Sequence, residues 1–141
     1  MNFNEDDRAQ RLLDIFDLPV GQINVSYVNS TKHVVAWHKH VHQTDYWICL
    51  KGSFKVGLAT KIEGTDMDIL ETPLGQFQVK WEYLSDKNPR VLQIDPETYH
   101  GYMALEPGSI LLYYLDHKWD PTDEHRASMG AFGEDWRTEN K

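Results

Sequence analysis

Histidine is the residue type most able to take and return a proton near neutral pH, and this chain concentrates it. His33, His38, His40 and His42 fall within ten positions, and His100 lies further on. In a strand, residues two apart face the same way, so His38 and His40 converge on one centre. Asp45 returns to that face where a turn or bulge intervenes. His100 follows the Asp95-Pro96 turn and stands beside Gly101, where a new strand can start. Burying four such groups without partners is costly, which marks His38, His40, Asp45 and His100 as the candidate centre. His33, His117 and His125 read as surface or satisfied residues, and His42 as lying near a turn.

The elements that must position these groups are mostly strands. Phe54, Val56 and Leu58 alternate with Ser53, Lys55 and Gly57, and Phe77, Val79, Trp81 and Tyr83 alternate with polar residues. That period of two is the mark of half-buried strands. Tyr46 to Leu50 is apolar on both faces, and Val91 to Ile94 and Ile110 to Leu115 are further strands. Turn chemistry separates them at Pro73-Leu74-Gly75, Ser85 to Pro89, Asp95-Pro96 and Glu106-Pro107-Gly108. Before them, residues 5–17 predict a short amphipathic helix: Ala9, Leu12, Leu13 and Phe16 share one face, and Glu5, Asp6 and Asp7 occupy the first turn. The expected organisation is one all-β domain over 1–141. It divides into a helical segment 1–19, a barrel or sandwich 20–116 and a polar tail 117–141. The tail could be docked, briefly helical or partly disordered. Trp37, Trp47 and Trp81 read as packing residues.

Composition removes several function classes. The 141 residues carry 14 Lys+Arg against 22 Asp+Glu, a formal charge of -8. Such a surface does not neutralise a phosphate backbone, so nucleic acid is not an expected partner. The single Cys49 excludes an internal disulfide or a Cys-rich zinc site. No apolar run approaches the ~18 residues of a membrane span. The acidic opening lacks the basic start of a signal peptide. A cytoplasmic location is expected, so Asn24-Val25-Ser26 and Asn29-Ser30-Thr31 are not expected to be glycosylated.

His38-x-His40, four residues, Asp45, six residues, then Gly52 resembles the first motif of the cupin superfamily, with Asp45 where Glu is usual. His100 is similar to the histidine of the second motif. The resemblance implies a double-stranded β-helix, or jelly-roll, barrel. In many cupins three His and one carboxylate hold a first-row divalent metal, a role open to His38, His40, Asp45 and His100.

Most of the chain, from about Gln22 to Arg126, also resembles the dTDP-4-dehydrorhamnose 3,5-epimerases. Gln22-x-Asn24-x-Ser26, Trp37-His38, Leu84-Ser85 with Asn88 and Arg90, His100-Gly101, Tyr113, and Trp119-x-Pro121-x-x-Glu124 carry the likeness. It implies a metal-free isomerase acting on a nucleotide-linked 4-keto-6-deoxy sugar. His38 would be the base that abstracts a proton beside the ketone, and Tyr113 the acid on the opposite face. Gln22 and Asn24 would hold the nucleotide part, with His40 and His100 lining the substrate pocket. A homodimer is implied as well. Val35 and Asp45 stand where that family has Arg and Lys, and its Asp that orients the base has no clear match. Asp45 is the substitute partner for His38. The sugar 3,4-ketoisomerases are similar too, through His38-x-His40 and Gly52. Two alternatives follow: a metal-dependent cupin enzyme using the three His and Asp45, and a non-catalytic carbohydrate-binding cupin.

Overall fold

The computed structural model describes residues 1–62 and 77–137. Two antiparallel sheets contain the strands. The first holds six, in the order β1 (Asn2–Glu5), β2 (Gln10–Leu13), β3 (Gln22–Val28), β10 (Ser109–Leu115), β5 (Asp45–Lys51) and β8 (Leu92–Ile94). The second holds five, in the order β11 (His125–Arg126), β4 (Val35–Lys39), β9 (Tyr99–Ala104), β6 (Ser53–Lys61) and β7 (Phe77–Ser85). The segments expected to be strands form β5, β6, β7, β8 and β10. The turn expected at Pro73-Leu74-Gly75 lies outside the described residues.

The N-terminal helix expected over 5–17 is not formed: this stretch is a β-hairpin of β1 and β2. Asp6 is the reason. Its Oδ1 accepts from the backbone N–H of Arg8 (2.8 Å) and Ala9 (3.2 Å), which reverses the chain where a helix would start. β2 then pairs with β3 through Gln10–Tyr27, Arg11–Ser26 and Leu12–Val25, covering an edge that would otherwise be open. An apolar spacing that fits a helical face lost to long-range pairing.

The facing sides of the sheets meet in a core of Val28, Trp47, Cys49, Phe54, Val56, Leu84 and Leu111. Cys49 is free and buried. A second cluster sits on the outside of the five-stranded sheet, where Trp37, Tyr99 and Met103 are covered by Trp136 and Phe132 of the tail. The described part of the tail, 117–137, is therefore docked. Trp37 and Ala127 exchange backbone bonds of 2.9 and 3.1 Å. Lys55 Nζ lies 4.2 Å from the Trp81 ring centroid and reaches the carbonyls of Asp135, Trp136 and Arg137, each at 3.4 Å. Among the described residues no helix is long and apolar enough to cross a membrane.

Candidate active site

A cavity of about 730 Å³ opens between the sheets, with His38, His40, Asp45, His100, Gln22, Asn24 and Tyr113 all in its wall. β4 and β9 bring His38 directly opposite His100 in register. Gly101 permits that approach, because a Cβ there would lie 2.6 Å from Ala36 Cβ and 2.7 Å from the Val35 carbonyl. Asp45 opens β5 on the other sheet, and Tyr113 pairs with Trp47 on one side and Asn24 on the other.

The tail supplies what spacing alone did not reveal. His38 Nδ1 lies 3.1 Å from Glu124 Oε1. Glu124, not Asp45, is thus the carboxylate beside His38. Its other oxygen accepts from Arg126 Nη2 at 3.1 Å. The His38 bond, supported by Arg126 and only partly opposed by burial, holds the Glu124 carboxyl down at about 2. Next to it, Asp123 accepts from the backbone N–H of Val41 (2.8 Å) and His42 (3.1 Å), fixing the loop after β4. Burial pushes the Asp123 carboxyl upward, but these two bonds outweigh it and its pKa is lowered. Among the described residues His42 hydrogen-bonds here through its backbone N–H.

Three ring orientations follow from bonding partners. His40 Nδ1 faces the Asp123 carbonyl at 3.0 Å and His100 Nδ1 the Thr98 carbonyl at 3.1 Å. A carbonyl only accepts, so in both rings Nδ1 carries hydrogen and Nε2 is the free nitrogen. The Glu124 carboxylate sets His38 the same way. Burial lowers the His100 pKa to about 4, against the pull of Asp45, so its ring is neutral at pH 7. Its Nε2 lies 3.7 Å from Asp45 Oδ2. Asp45 also accepts from Gln43 Nε2 (2.6 Å) and Trp47 Nε1 (3.1 Å).

One ligand atom from each of His40, Asp45 and His100 lies within 4.8 Å of the others. Two imidazoles whose Nδ1–H groups are anchored on carbonyls, plus a carboxylate, form a donor set that suits a first-row divalent ion. His38 stands outside this trio, engaged with Glu124.

Burial pushes the Tyr113 phenol well above its ordinary range, so it is protonated at neutral pH. It accepts from Ser26 Oγ at 3.4 Å. Gln22 and Asn24 are partly consumed within the protein. Asn24 Oδ1 accepts from Gln22 Nε2 (3.0 Å) and the Asp14 N–H (2.8 Å), and Gln22 Oε1 accepts from the Trp119 N–H (3.0 Å). Among the described residues the Asn24 amide nitrogen remains unengaged.

Comparison with known proteins finds a likeness of fold. No family model matches the sequence, and no curated protein does. Solved structures do. A dTDP sugar isomerase of Desulfovibrio desulfuricans superposes with TM-score 0.64 at 24% identity, over 82% of this chain and 72% of that one. The rmlC epimerase of Mycobacterium tuberculosis gives 0.63 at 20% identity, over 96% and 78%. The capsular polysaccharide assembling protein CapF of Staphylococcus aureus gives 0.69 at 16% identity. The chain spans about a third of CapF, 31% of its length, with 89% of its own residues. At these identities the likeness is one of fold, and that fold is the cupin fold these proteins share.

Proposed function

We propose that this protein is a sugar-nucleotide epimerase or isomerase acting on a nucleotide-linked 4-keto-6-deoxy sugar. The observation that carries the reading is the His38–Glu124 pair on one cavity wall, with the protonated Tyr113 on the opposite sheet. A ketone acidifies the hydrogens on its neighbouring carbons. His38 Nε2 accepts one of them as a proton, the C–H electron pair forms a double bond to the carbonyl carbon, and the carbonyl π pair moves onto the ketone oxygen to give an enolate. Glu124 neutralises the imidazolium that results and holds the ring in the tautomer the step requires. Tyr113 then delivers its hydroxyl proton to the same carbon from the other side, which inverts the centre. The proton on His38 returns through solvent to the phenolate. Delivery to a different atom of the enediol would instead give ketoisomerisation.

The test is proton NMR of the protein with a dTDP-4-keto-6-deoxy sugar in deuterated water. Deuterium entering at carbon 3 or carbon 5, and lost in His38→Ala, supports the reading. No exchange by the folded protein refutes it and leaves the metal-dependent and binding-module alternatives.

The His40, Asp45 and His100 trio favours a second reading, a metal-dependent cupin enzyme. A divalent ion held there would polarise a substrate oxygen. The chain's own part in that case is to present two Nε2 atoms and a carboxylate oxygen on rings fixed by Asp123 and Thr98.

The quaternary reading is a homodimer in the cytoplasm. Residues alternate along the six-stranded sheet, so the neighbours of Asn24, Ser26 and Tyr113 point away from the cavity. That outer face is apolar: Leu112 stands between Val25 and Ile48, and Phe3, Tyr27 and Leu50 are 64%, 39% and 50% exposed. The occupant we propose is a second copy of the same face, because a two-fold contact pairs one apolar patch with itself. Leu112→Glu is expected to give a monomer in light scattering at concentrations where the parent chain is a dimer.

A further inference from the structure

An enolate needs a fixed positive or hydrogen-bonding partner for the oxygen that gains charge. Beside the base, the cation Arg126 is 70% exposed and already bound to Glu124. Asp45 and Glu124 are carboxylates, which would repel a developing oxyanion. Val35, which lines the cavity on β4 three residues before His38, is apolar.

Four cations border the cavity: Arg8, Arg11, Lys118 and Arg126. Three are at its rim, with side chains 40%, 40% and 70% exposed. Arg11 differs at 11%. It enters from β2, one strand in from the edge, and pairs in register with Ser26. Ser26 is the residue whose hydroxyl reaches Tyr113. The Arg11 charge acts on both Tyr113 and Tyr102, and Tyr102 is the register partner of Val35. Arg11 therefore enters the cavity from the sheet opposite β4, on the strand paired with the one that carries Ser26.

Its guanidinium is also held in place while keeping donors to spare. Nη1 is tied to Asp6 Oδ2 and Asn4 Oδ1, both at 3.0 Å. Nε and Nη2 make no bond among the described residues. A planar fork clamped at one nitrogen and free at the others is prepared to receive an oxygen without reorganising. We propose that Arg11 binds the ketone oxygen of the substrate and carries the negative charge that develops there when His38 removes the neighbouring proton. This rests on the epimerase or isomerase reading above and names the residue that makes its enolate accessible.

The experiment compares wild type, Arg11→Ala and Arg11→Lys in the deuterium-exchange assay, with dTDP affinity measured separately by calorimetry. Removal of one oxyanion donor lowers kcat by about 10²–10³-fold, and that loss is expected for Arg11→Ala. KM and the dTDP Kd are expected to stay within about threefold, because the interaction strengthens only as charge develops. Millimolar guanidinium chloride should restore part of the Arg11→Ala rate, which no purely structural role for Arg11 would produce. Should Arg11→Ala fail to fold by circular dichroism, Arg11→Lys carries the test, with a kcat loss at unchanged dTDP affinity expected. A folded variant with kcat within about threefold of wild type overturns the proposal, as does a loss confined to KM and dTDP affinity, which would make Arg11 a ground-state anchor for phosphate. Exchange by wild type with no Arg11 effect defeats this inference alone. Absence of exchange by wild type defeats it together with the reading it rests on.

Discussion

Replacing Glu124 with Gln removes one charge from the base pair and leaves a side chain of nearly the same shape. The carboxyl is held at about 2, against an ordinary 4.5, with the His38 bond as the largest cause and Arg126 helping. At about 1.4 kcal/mol per pH unit, that drop corresponds to roughly 3 kcal/mol shared between the two partners. Arg126 is 70% exposed and screened by water, so the larger share, about 2 kcal/mol, belongs to His38. The His38 ring becomes an imidazolium in the proposed step. The variant should therefore lose about 2 kcal/mol of transition-state stabilisation, roughly 30-fold in kcat, with little change in KM. The assay is deuterium incorporation followed by NMR, with His38→Ala as the floor. Sound folding is checked by circular dichroism, since Glu124 also borders the strand that ends the five-stranded sheet. A Glu124→Gln rate within threefold of the parent, beside an inactive His38→Ala, would show that the base works without its carboxylate. Stability offers a parallel check. A carboxyl whose folded pKa is depressed stabilises the fold above its unfolded value, so the parent's advantage over Glu124→Gln should be full above about pH 4.5 and vanish toward pH 2.

Tyr113→Phe should still exchange deuterium through His38 but return it to the same face, cutting inversion by about 10²–10⁴-fold; a normal epimerised product in the NMR spectrum would remove Tyr113 from the reaction. His100 has a folded pKa lowered to about 4 from 6.5, so the fold should lose up to about 3 kcal/mol as pH falls through that window. Urea midpoints across pH 7 to 4 test this, and His100→Asn should flatten the slope. If the trio holds a metal, titration with Zn(II) or Mn(II) should show a single site that Asp45→Asn and His40→Ala abolish and His38→Ala keeps; equal loss in all three would place His38 among the ligands.

The strands and the histidine centre were legible because both depend on short spacings. Alternation at Phe54-Val56-Leu58 and around Trp81 needs no distant partner to be read, and His38 and His40 sit two apart on one strand. His100 and Asp45 could be joined to them through turn chemistry and the cupin-like pattern. Glu124 was within a recognisable Trp-x-Pro-x-x-Glu stretch, yet nothing local announces that it meets a ring 86 positions earlier. The same limit explains the N-terminus. Ala9, Leu12, Leu13 and Phe16 suit a helical face equally well, and only the open edge of β3 and the turn-forming carboxyl of Asp6 decide against it. Arg11 carries no local signal of its place, since the cavity it lines is closed by strands distant in sequence.

The 86-residue span between His38 and Glu124 also bears on the chain during its synthesis. At about 5–20 residues per second, a ribosome needs roughly 4 to 17 s to travel from one to the other. Over that interval the nascent chain holds the base but not its carboxylate, nor Asp123 to fix the loop beyond it. The pair that the proposed reaction relies on is therefore assembled only once residue 124 has been added, and a product stalled before codon 124 would lack it.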